Sequence, residues 1–205
     1  IETYPSETYP PDVSAVAASI GLHERVSKRP RGALLEQWSQ RIRERYLDDE
    51  SGLLVQMVTS GSGVARDDPR ASGTALAAYF TAFSDEALSR DLYAACRRNR
   101  SSVAGFGGIL EYPAGSFGGG GDIDSGPVIL GIGLSATGFS MASARIQRDR
   151  ETFTALYGTA HLFGAPIAMG DRRHFVTGGP LGNAIMLAML TAGPGTLAAE
   201  RGAAQ

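Results

Sequence analysis

Apolar positions fall into two alternating patterns along this chain. Four segments, at residues 12–20, 72–80, 125–133 and 182–190, carry small and aliphatic residues on nearly every side, and each opens just after a turn rich in Gly, Pro or Asp. Three of the four are followed by a stretch with a single apolar stripe. Leu34, Trp38, Ile42 and Tyr46 recur at a spacing of four, with Arg41, Arg43, Glu44 and Arg45 on the other side. Leu88, Leu92 and Cys96 repeat the device, with Arg90, Arg97 and Arg98 facing outward. A third copy places Phe153, Leu156, Tyr157, Ala160 and Phe163 together, with Arg148, Asp149 and Glu151 near its start. Both spacings are helical.

A helix apolar all round must be buried all round, whereas one with a single stripe lies at a surface. The alternation therefore predicts inner and outer helices. The starts of the inner segments lie roughly 50 to 60 residues apart, too far for two-helix solenoid repeats and suited to a helical hairpin with one elaborated loop. The expected fold is all-α: an (α/α)n toroid of helical hairpins, an incomplete (α/α)6 barrel with short β-hairpins in its loops. A plain helical array satisfies the same pattern. Residues 1–192 form the expected toroid domain and residues 193–205 an Ala/Gly-rich tail. Three and a half hairpins cannot close six. The chain also starts at Ile1, without methionine, inside a Tyr-Pro-rich loop. The rest of the wall is therefore expected from an absent N-terminal half or from another copy of the chain, with an open arc as the alternative.

A length of 205 residues suffices for one domain with a sizeable core. The net charge of −2, with arginines spread over the outer helices, argues against nucleic acid as a partner. Cys96 is the single cysteine, which excludes an intrachain disulfide, and its place in an apolar stripe points to packing. No signal peptide or membrane span is expected. The longest apolar run, residues 128–144, is broken by Gly131, Gly133, Ser135, Thr137 and Gly138 and reads as a buried helix.

In a double-shelled toroid the loops entering the inner helices gather at one mouth, and each of the four such loops here supplies carboxylates. The glycine run ending in Asp122 and Asp124 is the richest. It lacks the Gly-Lys-Ser/Thr ending of a phosphate loop and would aim two carboxylates at a phosphate. Calcium on Asp122 and Asp124 is a minor alternative with a sparse ligand set. The expected chemistry needs no metal and no cofactor. Asp122, Asp124 and Asp12 are the candidate proton-transfer groups, since a carboxyl facing a dry mouth suits that role. Tyr9, Glu111, Tyr112 and His174 are the candidate contacts to a small-molecule substrate. The competing structural role is helix capping, by Asp124 or Ser125 with Pro127 in the first turn, and by Asp12 at its own helix start. His23 reads as structural and His161 as an interhelical partner.

The stretch from Asp12 to about Asn99 resembles the C-terminal half of the linalool dehydratase/isomerase family. The likeness rests on Ser14-Ala-Val-Ala-Ala-Ser, Tyr46-Leu-Asp-Asp-Glu-Ser-Gly-Leu, a short β-like pair around Leu54-Val-Gln-Met-Val, Ala71-Ser-Gly-Thr-Ala-Leu-Ala and Phe83-Ser-Asp-Glu-Ala-Leu-Ser, with a vaguer echo at Asp122-Ile-Asp-Ser-Gly-Pro. The resemblance implies an (α/α)6 barrel with an active site near subunit contacts. The family's enzyme uses cysteines in the loop that corresponds to the entry to Asp12, and none occurs between Ile1 and Asp12. None of its catalytic residues is carried over.

Two function classes follow. One is an enzyme using carboxylate acid–base chemistry on a small alcohol or a carbohydrate, lyase/hydratase-like, with a glycoside hydrolase or sugar epimerase as the alternative. A glycosidase requires two carboxyls about 5 or 6.5 to 9.5 Å apart. The other is a non-catalytic partner domain in which the carboxylates cap helices and the tyrosines pack.

Overall fold

The computed structural model describes residues 1–113 and 126–193. The expected alternation becomes seven helices among these residues: α1 (Pro10–Val26), α2 (Ala33–Arg45), α3 (Ala71–Thr81), α4 (Glu86–Arg98), α5 (Leu134–Ile146), α6 (Arg150–Gly164) and α7 (Gly179–Thr191). The strands are short antiparallel pairs: β1 (Glu7–Thr8) with β2 (Val58–Thr59), β3 (Arg100–Val103) with β4 (Phe106–Ile109), β5 (Val128–Ile129) with β6 (Ile132–Gly133), and β7 (Pro166–Met169) with β8 (Arg172–Phe175). The protein is thus mostly α, with hairpins in its loops. None of these helices is long and apolar enough to cross a membrane.

Successive odd-numbered helices pack on one another, α1 on α3, α3 on α5 and α5 on α7, while α2, α4 and α6 each pack on the odd-numbered helix before them. Helices α3 and α5 have neighbours on both sides, and their small residues allow close approach. Ala71, Ala75, Ala77 and Ala78 of α3 and Ala136, Ala142 and Ala144 of α5 are all buried. The threonines of α3 donate back to carbonyls one turn earlier, Thr81 to Ala77 O at 2.8 Å. Thr74 Oγ1 donates to Arg70 O at 2.6 Å and accepts from Leu54 N at 2.8 Å.

The surface helices owe their placement to stripes and caps. Leu88, Leu92 and Cys96 of α4 are buried, as their spacing predicts. Aspartates start α4 and α6: Asp85 accepts from Leu88 N at 2.9 Å and Asp149 from Thr152 N at 3.0 Å, each satisfying an otherwise unpaired amide. The stripe of α2 runs through Leu35, Trp38, Ser39 and Ile42, and Leu34 is 65% exposed. Two adjacent leucines fit the same spacing, and burial of Ile42 selects the phase that takes Leu35. Phe163, expected in the buried stripe of α6, is 64% exposed at the helix end.

The third inner segment departs most from expectation. Residues 128–133 form a hairpin, with Val128 opposite Gly133 and Ile129 opposite Ile132. Leu130 and Gly131, at φ 51° and 81°, make its two-residue turn, the backbone sense that matches strand twist. Helix α5 starts only at Leu134, with Gly133 as its N-cap. Pro127 therefore precedes a strand, and the N-cap position of this helix belongs to Gly133, eight residues after the expected Ser125. Asp122 and Asp124 themselves lie outside the described residues.

Candidate functional site

A cavity of about 220 Å³ opens where the N-terminal ends of α1 and α3 meet, lined by Tyr4, Tyr9, Pro11, Asp12, Gln56, Ser72, Gly73, Leu76 and Phe139. Local sequence explains how each wall forms. Pro10 and Pro11 occupy the first turn of α1, where their missing N–H groups leave nothing unpaired. The loop before them is held by β1 on β2, by Ser60 N donating to Ser6 O at 2.9 Å, and by Tyr9 N donating to Thr3 Oγ1 at 3.1 Å. The rings of Tyr4 and Tyr9 meet edge to face at 5.7 Å.

Asp12 sits in the first turn of α1, exposed at the cavity rim. It does not cap the helix: Tyr9 holds the N-cap position, and no side chain caps there. Ser72 stands in the first turn of α3, buried, its hydroxyl donating to the Glu111 carboxylate. Glu111 is 0% exposed and lies behind Ser72 rather than in the cavity wall. Its backbone joins two elements, accepting from Ala71 N at 2.8 Å and donating to Gly131 O at 2.9 Å. Its side chain needs Gly133, since a Cβ there would meet Glu111 Oε2 at 2.0 Å. Glu111, expected to touch substrate, is placed instead to fix the hydroxyl that does line the cavity.

Tyr112 also stands back from the cavity. The Arg70 guanidinium lies over its ring at 5.5 Å and pairs with Asp67 at 2.7 Å. His174 is on β8 opposite Ile167, half-buried, and does not line this cavity. His161, expected between helices, is exposed beside Tyr157 of its own helix. The structure thus brings Tyr9 and Asp12 together in one cavity and places Glu111 one residue behind it.

Two cavity residues carry no signal in the sequence. Gln56, 8% exposed, comes from the loop between α2 and α3, and its Oε1 has no hydrogen-bond partner. That oxygen packs against Gly73, where a Cβ would lie 2.2 Å away. Phe139 arrives from α5 and, with Leu76 and Pro11, supplies the apolar part of the wall.

Burial pushes the Cys96 thiol up to about 12, with the nearby Glu111 carboxylate adding to the effect and Ser140 opposing it. At neutral pH it is a thiol packed among apolar neighbours, not a nucleophile. Among the described residues no three His, Cys, Asp or Glu side chains gather in a way that could hold a metal ion.

The arrangement offers one exposed carboxylate, two phenols, an anchored hydroxyl and an amide around a partly apolar space. That space exceeds the roughly 150 Å³ that holds benzene and falls below the roughly 300–1,000 Å³ of drug-sized sites. Searches against protein-family models and against curated proteins match nothing to this chain.

Proposed function

We propose that this chain is a helical-hairpin domain of an (α/α)-toroid enzyme that adds water to, or removes it from, a small alcohol, with Asp12 as a proton-transfer group. The observation that carries this reading is the cavity at the paired starts of α1 and α3, which sets the Asp12 carboxylate at the rim of a wall built partly from Leu76 and Phe139. In the dehydration direction a C–O bond breaks and the hydroxyl leaves as water with an added proton. A carboxylate takes the proton from the neighbouring carbon as the double bond forms. In this reading Tyr9 hydrogen-bonds the reacting oxygen, and Ser72, held by Glu111, orients the substrate. Asp122 and Asp124 stand, from the sequence, as candidates for the second proton transfer. The likeness to the linalool dehydratase/isomerase family points to the same class of substrate.

Among the described residues Asp12 is the one carboxylate lining this cavity. A glycosidase needs two, and the volume suits a single small molecule better than a sugar chain. The non-catalytic partner-domain reading is favoured by one observation, the exposure of Asp12 and Tyr4 to solvent.

The test is water loss or uptake measured by gas chromatography on a panel of C4–C10 saturated and allylic alcohols. Asp12→Asn is expected to lower turnover by roughly 10²-fold or more, the size of a general acid–base contribution, with an unchanged Tm. Absence of turnover in the wild type, or an active Asp12→Asn variant, rejects the hydratase reading. A wild type that instead releases sugar from glycosides supports the hydrolase.

A further inference from the structure

A second cavity, of about 230 Å³, lies between α5, α6 and α7, and its walls include Leu134, Phe139, Phe163, Phe175, Ile185 and Met186. No charged side chain of the described residues lines it. Four hydroxyls do, from Ser135, Thr137, Thr159 and Thr177, and three of them are already engaged within the protein. Thr159 Oγ1 donates to Gly107 O at 2.6 Å, Thr177 Oγ1 donates to Phe163 O at 2.9 Å, and Thr137 Oγ1 accepts from Ile109 N at 3.1 Å. The groove is open to water along Leu134 and Phe163, but a polar group seated against its walls finds few hydrogen-bond replacements, whereas an apolar one loses nothing of that kind.

The space is shaped by glycine as well as by aromatic rings. A Cβ built at Gly138, Gly178 or Gly182 meets nothing within 4 Å, so the volume is open at three points of its wall. The fourth glycine, Gly164, abuts the Phe175 ring, 2.6 Å from where its Cβ would be. The far wall is held in place by Asn183. It accepts from Phe175 N at 2.8 Å and donates to Phe175 O at 3.0 Å and Gly179 O at 2.6 Å, tying β8 to α7. A concavity with three walls of different origin, larger than one that takes benzene, fits a compact molecule rather than a flat protein face.

We propose that this groove binds a small uncharged apolar molecule, of the size of a monocyclic aromatic or a short hydrocarbon, at a site distinct from the cavity at Asp12. The claim does not depend on the hydratase reading, because it concerns different residues and is read by binding alone.

Thermal unfolding of the full chain with toluene, and with benzoate as a charged molecule of like shape, tests it. Toluene at about tenfold above its Kd is expected to raise Tm by about 3–6 °C, and benzoate to leave it unchanged. Gly182→Leu from α7 and Gly138→Leu from α5 each push a side chain into the groove. Both replace a helical glycine with a better helix former, so both are expected to keep or raise the Tm without ligand and to abolish the toluene shift. If one variant does not fold, the other decides. No toluene shift in the wild type, equal shifts with benzoate, or a toluene shift surviving in a folded variant overturns the proposal. So does a toluene-insensitive oligomer that Gly182→Leu dissociates, which would make the groove an interface between copies.

Discussion

Helices α3 and α7 are composed of much the same residues, small and aliphatic with scarcely a charge, yet they meet opposite fates. Every residue of α3 is buried or half-buried, because α1 and α5 flank it and α4 covers it. Helix α7 packs on α5 and on β8, and of its residues Met189 alone is buried, while Leu181 and Leu187 are 74% and 66% exposed. An apolar helix states a demand for neighbours, and its position in the row decides whether the demand is met. Helix α1, at the other end, shows the same partial exposure at Val16, Leu22 and Val26.

The contrast can be broken most sharply beneath α3. Leu88 is wholly buried in the cluster that α4 forms with Ala77 and Ala78 of α3. Leu88→Ala is expected to cost about 2–5 kcal/mol in urea unfolding through lost burial and the cavity left behind. Thr74→Val is expected to cost about 1–3 kcal/mol, since it strands the buried Leu54 amide without an acceptor. On α7, Leu187→Gln should change stability by less than about 0.5 kcal/mol. A large loss at Leu187 in the isolated chain would mean that a second copy covers that face, and sedimentation would then show the association.

The caps sharpen the picture through pH. At Asp85 burial favours the neutral acid, but the Leu88 amide, the Ser39 hydroxyl and Arg31 outweigh it and hold the carboxyl below its usual range. At Asp149 the Thr152 amide, the Tyr93 hydroxyl, the Thr152 hydroxyl and Arg97 do the same against burial. The unfolded chain therefore takes up these protons first as pH falls. The stabilisation they contribute is present above the ordinary value of 3.8 and is lost as pH drops below it. Urea midpoints should hold steady down to about pH 5 and fall below about pH 4. Asp85→Asn combined with Asp149→Asn should flatten that fall, and an unchanged acid limb would show that other carboxylates dominate. Each cap lost to alanine is expected to cost about 1 kcal/mol.

Much of this was legible beforehand, for physical reasons that also explain the failures. Leu88, Leu92 and Cys96 offer one helical phase, and the chain adopts it. Leu34 and Leu35 offer two, and only packing around Ile42 chooses. Residues 128–144 form an apolar run broken only by small residues, and such a run does not separate strand from helix by its period. The turn at Leu130, a non-glycine residue with positive φ, gave no warning. At the site, Tyr9 and Asp12 could be found because they lie at a helix start; Ser72 lies at one too, but only its contact with Glu111 marks it. Gln56 and Phe139 could not, because they reach the cavity from separate elements and have no motif of their own. Glu111 was picked out for its charge, but its role as a buried tie to Ser72 depends on contacts across the fold.

Phe139 belongs to both cavities. One side chain therefore serves two compartments of different chemistry, the mixed one beside Asp12 and the greasy one against α7. Trimming that side chain to alanine would remove wall from both at once without altering any group at Asp12. A single position on α5 thus tunes the shape of both spaces, and neither can be enlarged there without the other.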